Sequence, residues 1–134
     1  MNPEHGSAHQ QRRELKRVRA WYALGALLLI GVAIVSLMPV ANTGVNDKFG
    51  HLLTYALLAG WFAVIARNVR VLCISLIALV GYGILIEWLQ SLTSYRMAEM
   101  GDVVANALGC VIGGLFYRTP LNRVLQRLEE RFAR

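Results

Sequence analysis

The stretch DKFGHLLTYALLAGW, residues 47–61, decides the fold, because it joins a long apolar run to a polar start. Its first turns carry Asp47, Lys48, His51 and Tyr55, and the following residues are almost all apolar. Ionisable side chains are costly inside a membrane and usually face a bundle interior or a wet cavity. The stretch therefore predicts a membrane helix whose first turns line a polar site.

The rest of the chain has the same apolar character. It has 134 residues, of which 56% are hydrophobic and 16% charged, and the apolar residues form long blocks. Such blocks are typical of membrane helices, and the short connections between them favour a bundle. We predict an all-α integral membrane four-helix bundle with spans at 21–40, 49–66, 71–90 and 103–117. A cleaved signal peptide is the alternative for the first block, but its apolar core is normally only about 7–15 residues long.

The chain divides into a basic N-terminal segment (1–20), a four-span membrane domain (21–117) and a basic C-terminal segment (118–134). In the last segment Thr119-Pro120 indicates a helix start. Apolar residues then recur at helical spacing between arginines, which predicts a short amphipathic helix on the inner leaflet. A solvated helical tail is the alternative.

Basic residues determine the expected orientation. Twelve of the 14 lysines and arginines flank the N-terminus, the second connection and the C-terminus, whereas Lys48 and Arg96 lie on the opposite side. The positive-inside rule then places both termini in the cytoplasm, and we expect the inner membrane of a bacterium. The net charge of +6 is explained by these flanks, so nucleic acid is not an expected partner. We expect His5 and His9 to lie in a disordered tail, and Cys73 and Cys110 to form no disulfide.

Three ionisable residues on three different spans fall at one depth. At about 1.5 Å per residue, His51 and Asp102 lie about 24 Å from the inner boundary, and Glu87 lies about 26 Å from it. Helical spacing also places polar residues of each span on one stripe, as with Asp47, His51 and Tyr55 at i, i+4 and i+8. We therefore expect an outward-facing polar pocket formed by Asp47, Lys48, His51, Tyr55, Glu87, Gln90, Arg96, Asp102 and Asn106. Gly109 and Gly113 form a GxxxG motif, which predicts close helix packing.

These motifs make the chain similar to the VanZ-like family of small bacterial membrane proteins. DKFGHLLTYALLA, with its Asp-Lys-x-x-His-x-x-x-Tyr pattern, resembles the family's first motif. GYGILIEWLQSLTSYRMAEMGDVVANALGCVIGG resembles the remainder, although Glu99 departs from the usual loop pattern. The resemblance covers roughly residues 35–117. It implies a small membrane bundle and, through the family's name-giving member, an association with resistance to the glycopeptide teicoplanin.

Three functional hypotheses follow from the pocket. The first is binding of a lipid-linked cell-envelope component, with Arg96 and Lys48 holding phosphate and the carboxylates accepting hydroxyls or amines. The second is an enzyme acting on a lipid head group, with His51 as general base beside Glu87 or Asp102. The third is a structural network that only fixes helix packing. His51, Glu87 and Asp102 could also hold a divalent metal, but we assign no metal or cofactor. The expected partner is the lipid bilayer, and the sequence leaves open whether the chain forms a homo-oligomer.

Overall fold

The computed structural model describes residues 15–39, 45–95 and 97–132, and these form helices without any strand. Four helices are long and apolar enough to cross a membrane, which confirms the predicted number of spans. The predicted amphipathic helix follows them. In chain order the helices are α1 (Val18–Leu37), α2 (Val45–Ile65), α3 (Val69–Ser91), α4 (Met100–Gly114), which continues as a 3-10 turn over Leu115–Arg118, and α5 (Leu121–Phe132).

The first helix ends earlier than predicted. The sequence suggested an end near Val40, but α1 stops at Leu37 and Met38 is extended, with φ −75° and ψ 147°. Pro39 explains the difference, because the residue before a proline is disfavoured in the helical region. Val40 itself lies outside the described residues. The other span boundaries shift by a few residues.

The second helix is the centre of the bundle. Of the 18 most apolar consecutive residues in α2, 44% are buried, compared with 6% for the corresponding residues of α1. Large apolar side chains on the outer helices are exposed, including Leu27 at 64% and Ile77 at 72%. Apolar side chains exposed over the length of four candidate spans match a lipid environment rather than water.

The second and fourth helices pack backbone against backbone at the predicted GxxxG motif. A Cβ on Gly113 would lie 2.6 Å from the Gly60 nitrogen, and a Cβ on Gly109 would lie 3.0 Å from the Ala56 nitrogen. Only glycine leaves room for such an approach, as small residues do at membrane helix interfaces generally. This seam fixes α2 relative to α4 and hence the side chains that both helices carry.

Two side chains of α3 donate hydrogen bonds to backbone carbonyls of α1. The Tyr82 hydroxyl donates to the Leu29 carbonyl at 2.6 Å, and the Gln90 amide donates to the Ser36 carbonyl at 2.8 Å. At the start of α3 the Asn68 side chain accepts from the Val71 N–H at 2.9 Å, as an N-cap does. The Tyr82 and Gln90 bonds hold α3 against α1, whereas the Asn68 bond caps the start of α3.

The C-terminal helix folds back on the ends of the spans. Asn122 donates to the Val64 carbonyl at 3.1 Å, which ties α5 to the end of α2. The Glu129 carboxylate accepts from the Lys16 N–H at 2.8 Å and the Arg17 N–H at 2.9 Å, just before α1 begins. It also accepts from the Trp21 indole at 2.7 Å. A residue of α5 therefore satisfies the orphan N–H groups that precede α1.

Candidate functional site

The ionisable cluster lies at the end of the bundle opposite α5. Asp47, Lys48 and His51 belong to the first turns of α2, Glu87 to the last turns of α3, and Asp102 to the first turn of α4. Because α3 runs antiparallel to α2 and α4, these three helix ends meet on one side. The N-termini of α2 and α4 also carry partial positive charge, which favours carboxylates there.

His51 is the centre of the cluster. Its Nε2 lies 4.0 Å from Asp47 Oδ1 and 3.8 Å from Asp102 Oδ2, and its Nδ1 lies 3.8 Å from Glu87 Oε1. Nδ1 also contacts the Asn106 Oδ1 at 3.1 Å. An amide oxygen can only accept, so this hydrogen bond requires a proton on Nδ1. Nε2 is left facing the two aspartates.

The carboxylates of the cluster are buried but poorly satisfied. Glu87 and Asp102 are each 4% exposed. Among the described residues, neither oxygen of Glu87 has a hydrogen-bond partner of normal geometry, and neither does Asp102 Oδ1. The backbone N–H of Glu99 approaches the Glu87 carboxylate without forming a well-aligned hydrogen bond. A buried acceptor left without a hydrogen bond costs about 1–3 kcal/mol of folding free energy, and a charged acceptor costs more. Such groups are compensated by a cation, a donor or water.

Tyr55 and Asn106 form the floor of the site. Tyr55 is 2% exposed and Asn106 1%, and the Tyr55 hydroxyl and Asn106 Nδ2 have no hydrogen-bond partner among the described residues. Gly83 of α3 makes room for both, since a Cβ there would lie 3.0 Å from Asn106 Nδ2 and 3.2 Å from the Tyr55 hydroxyl. The Tyr55 ring packs on Tyr82 with centroids 6.3 Å apart. The floor is therefore polar and closely packed.

Lys48 lies at the mouth of the site and forms an ion pair with Glu99, just before α4. Its ammonium also lies 3.8 Å from Asp102 Oδ1. The hydrogen bond from the Lys48 ammonium, together with its charge, holds the pKa of the Glu99 carboxyl below its usual range. Four carboxylates thus share the region with Lys48 and His51, so its described residues are acidic overall.

The structure brings together seven of the nine residues predicted to line a pocket. They are Asp47, Lys48, His51, Tyr55, Glu87, Asp102 and Asn106. Gln90 is also buried, but its amide bonds to the α1 backbone. Arg96 lies outside the described residues, as do His5 and His9. Cys73 and Cys110 are both free thiols.

Two contacts were missed from the sequence. The sequence predicts no partner for Glu99, which only departs from the family's loop pattern, whereas in the structure it pairs with Lys48. Their separation in sequence gives no periodic signal, although an acid near a lone outer lysine is a hint. Asp47, rather than Glu87, completes the group of side chains spaced for a metal ion, together with His51 and Asp102. Its i, i+4 spacing to His51 was visible in the sequence.

A four-span membrane protein with a histidine and carboxylates gathered at one end is the class that this geometry defines. A profile of the VanZ/LLP1 family matches residues 5–123. The chain belongs to the VanZ/LLP1 family.

One curated relative comes from a fungus. The uncharacterized protein C11E3.10 of Schizosaccharomyces pombe is 30% identical over 113 residues, covering 78% of this chain and 70% of the yeast protein. No solved structure matches the chain.

Proposed function

We propose that the protein binds the polar head group of a lipid-linked cell-envelope component. The site is formed by His51, Glu87 and Asp102 beneath the mouth at Lys48. One observation carries the proposal: Glu87 and Asp102 are 4% exposed, and three of their four oxygens have no hydrogen-bond partner among the described residues. A structural network normally satisfies its members, because a half-satisfied buried network is destabilising.

The chemistry of the site favours a ligand rich in hydrogen-bond donors. Ionised carboxylates only accept hydrogen bonds, so they suit hydroxyl, amide and ammonium groups. Lys48, which the sequence suggested as a phosphate contact, is already paired with Glu99. The described residues therefore favour sugar hydroxyls or amines over a bare phosphate.

The charge distribution supports an outward-facing mouth. With both termini in the cytoplasm, 12 of the 14 basic residues lie inside, in agreement with the positive-inside rule. The cluster is then at the outer end of the bundle, where the head groups of outer-leaflet lipids lie. A fluorescent reporter fused after Arg134 should be active only in the cytoplasm.

The family resemblance suggests a cellular readout. In a bacterial inner membrane, a protein that binds an envelope precursor would alter susceptibility to teicoplanin-type glycopeptides. The fission-yeast relative widens the ligand class, because peptidoglycan is bacterial whereas glycosylated lipid carriers occur in both kinds of cell. A glycosylated lipid is therefore the ligand class that we favour.

The test is native mass spectrometry of the purified full chain in nanodiscs containing total bacterial lipid extract. We expect a retained glycolipid on the unaltered protein and its loss in Glu87→Gln and Asp102→Asn. Glu130→Gln is the matched control, since it removes an exposed carboxylate on α5. If the cluster variants retain the lipid, or if they simply unfold, the structural-network hypothesis is favoured instead.

A second candidate is catalysis on the same head group. The supporting observation is that the Asn106 contact places a proton on His51 Nδ1, which leaves Nε2 to act as a base beside Asp102. An enzyme would convert the bound lipid during incubation. Thin-layer chromatography of the recovered lipid separates the two functions, because a binding protein returns it unchanged.

A further inference from the structure

Three side chains at the mouth are spaced as metal ligands. Asp47, His51 and Asp102 each offer one ligand atom, and the three atoms lie within 4.8 Å of one another. Two come from the first turns of α2 and one from the first turn of α4, so the closely packed seam between these helices fixes their separation. A histidine nitrogen with two carboxylate oxygens is a donor set that suits zinc and similar divalent ions.

The spacing is close to that of a filled site. His51 Nε2 lies 4.0 Å from Asp47 Oδ1 and 3.8 Å from Asp102 Oδ2. Zinc–nitrogen and zinc–oxygen bonds of about 2.0–2.1 Å at tetrahedral angles separate ligand atoms by about 3.4 Å. The two pairs that include His51 therefore need a contraction of about 0.4–0.6 Å. The third pair, Asp47 with Asp102, lies within 4.8 Å and needs at most about 1.4 Å, which rotation of the Asp47 side chain can supply.

The hydrogen bonding of His51 prepares the correct nitrogen. Nδ1 lies 3.1 Å from the Asn106 Oδ1 and 3.8 Å from Glu87 Oε1, so acceptors surround it and hold its proton. The lone pair of Nε2 then faces two carboxylate oxygens. Metal-binding histidines in general donate their second N–H to such an acceptor, which fixes the tautomer and the ring orientation.

A second observation, besides the spacing of the ligand atoms, indicates a cation here. Asp102, one of the three ligands, is 4% exposed, and its Oδ1 has no hydrogen-bond partner among the described residues. Glu87, on the Nδ1 side of the His51 ring, adds a further buried negative charge. The nearest described ammonium, that of Lys48, is paired with Glu99 and lies 3.8 Å from Asp102 Oδ1. Buried negative charge in this excess is compensated by a proton or by a metal ion, and the converging lone pairs favour the metal.

We propose that Asp47, His51 and Asp102 bind a divalent zinc-class metal ion, leaving its fourth position open toward the mouth. Three protein ligands and one open position are the arrangement of zinc sites that bind an exchangeable water or ligand. The ion would supply an electrophilic contact for a hydroxyl oxygen of the head group, which Lys48, paired with Glu99, does not provide. The metal site stands whether or not the head group proposed above is the ligand.

The test is isothermal titration of the chelator-treated full chain in detergent with ZnCl₂ alone. We expect saturable binding of one ion per chain. Asp47→Asn, His51→Gln and Asp102→Asn should each weaken it strongly. Asp47→Asn is the informative variant if the others fail to fold, because its side chain is the most exposed of the three at 22%. Circular dichroism verifies folding of each variant.

Controls distinguish this site from adventitious zinc. A His5→Gln, His9→Gln double variant should bind as the unaltered chain does, and Co²⁺ should give visible bands without the charge-transfer band of a thiolate ligand. Glu87→Gln should keep one ion per chain even where it loses the head group, so the two proposals fail separately. Absence of saturable Zn²⁺ binding, or binding abolished by the His5 and His9 changes alone, would overturn the metal site.

Discussion

Each end of the bundle contains a buried carboxylate, but only one of the two carboxylates is supplied with hydrogen-bond donors. Glu129 of α5 is 5% exposed and accepts hydrogen bonds from the Lys16 N–H, the Arg17 N–H and the Trp21 indole. Glu87 of α3 is 4% exposed and has no hydrogen-bond partner among the described residues. The two carboxylates are therefore equally buried, and they differ in the supply of hydrogen-bond donors.

At the α5 end of the bundle, the hydrogen bonds to Glu129 change the pKa of its carboxyl group. Burial raises the pKa of the Glu129 carboxyl, but the hydrogen bonds from Arg17, Trp21 and Lys16 outweigh it and leave that pKa below its ordinary value. Donors that favour the charged form make ionised Glu129 a stabilising element. At the opposite end, the Glu87 carboxylate accepts no such hydrogen bonds from the described residues, so its charge is compensated in another way.

The largest effect should come from opening the seam that holds both ends in place. In Gly113→Val the new Cβ would meet the Gly60 nitrogen at 2.6 Å and the Ala59 Cβ at 2.7 Å. We expect a loss of about 3 kcal/mol of unfolding free energy, since backbone atoms cannot yield as flexible side chains do. Thermal unfolding in detergent, followed by circular dichroism, measures it.

The control for the seam is Gly31→Ala on α1, where nothing lies within 4 Å of the added Cβ. This change should cause no loss and can gain up to about 1 kcal/mol, because alanine is less costly to order in a helix. Equal destabilisation by the two substitutions would show that close packing at Gly113 is not what holds α2 to α4.

Removing the satisfied carboxylate should have the next largest effect. Glu129→Ala leaves three N–H donors without their acceptor, so we expect a loss of about 2 kcal/mol. Zinc and lipid binding at the far end should be unchanged. Glu130→Ala, at the exposed neighbouring position, is the matched control and should leave the melting temperature in place. Similar melting temperatures for the two variants would refute the structural role of Glu129.

Neutralising the unsatisfied carboxylate, Glu87, should change stability little and should abolish lipid binding. Glu87→Gln removes a buried charge whose oxygens have no hydrogen-bond donor among the described residues, and an uncompensated buried charge is itself costly. We expect a change within about 1 kcal/mol in unfolding free energy, together with loss of the bound lipid. A large destabilisation with lipid still bound would place Glu87 in the same class as Glu129 and contradict the comparison.

Acidification should affect the terminal end in a defined direction. Glu129 has a lowered folded-state pKa, so its contribution is fully present above the unfolded value of about 4.3 and is lost as pH falls through the folded value. The difference in melting temperature between the unaltered chain and Glu129→Gln should therefore be constant from neutral pH to about pH 5 and shrink at lower pH. A difference that grows on acidification would reverse the assigned sign.

The sequence was sufficient for what depends on periodicity and length. Four apolar blocks predicted four spans, and equal depths on three of them anticipated that His51, Glu87 and Asp102 would meet. It was insufficient for contacts that depend on how separate segments fold back. Nothing in the spacing indicates that Glu129 would reach Lys16 and Arg17, because the pairing is made only when α5 crosses the ends of the spans.

The smallest effect on stability is expected at the mouth. Lys48 and Glu99 have side chains about half exposed, at 45% and 46%, and exposed ion pairs contribute little to folding. Glu99→Gln should therefore leave the melting temperature unchanged.

Glu99→Gln should nevertheless alter the site, because the released Lys48 ammonium lies 3.8 Å from Asp102 Oδ1 and can move closer to that carboxylate. A cation at Asp47, His51 and Asp102 would then compete with Lys48, so zinc affinity should fall in Glu99→Gln. Titration of the Glu99→Gln, Lys48→Gln double variant, which removes the competitor, should restore it. If the single variant binds zinc as tightly as the unaltered chain, Glu99 is only a surface partner and does not hold Lys48 away from the buried acids.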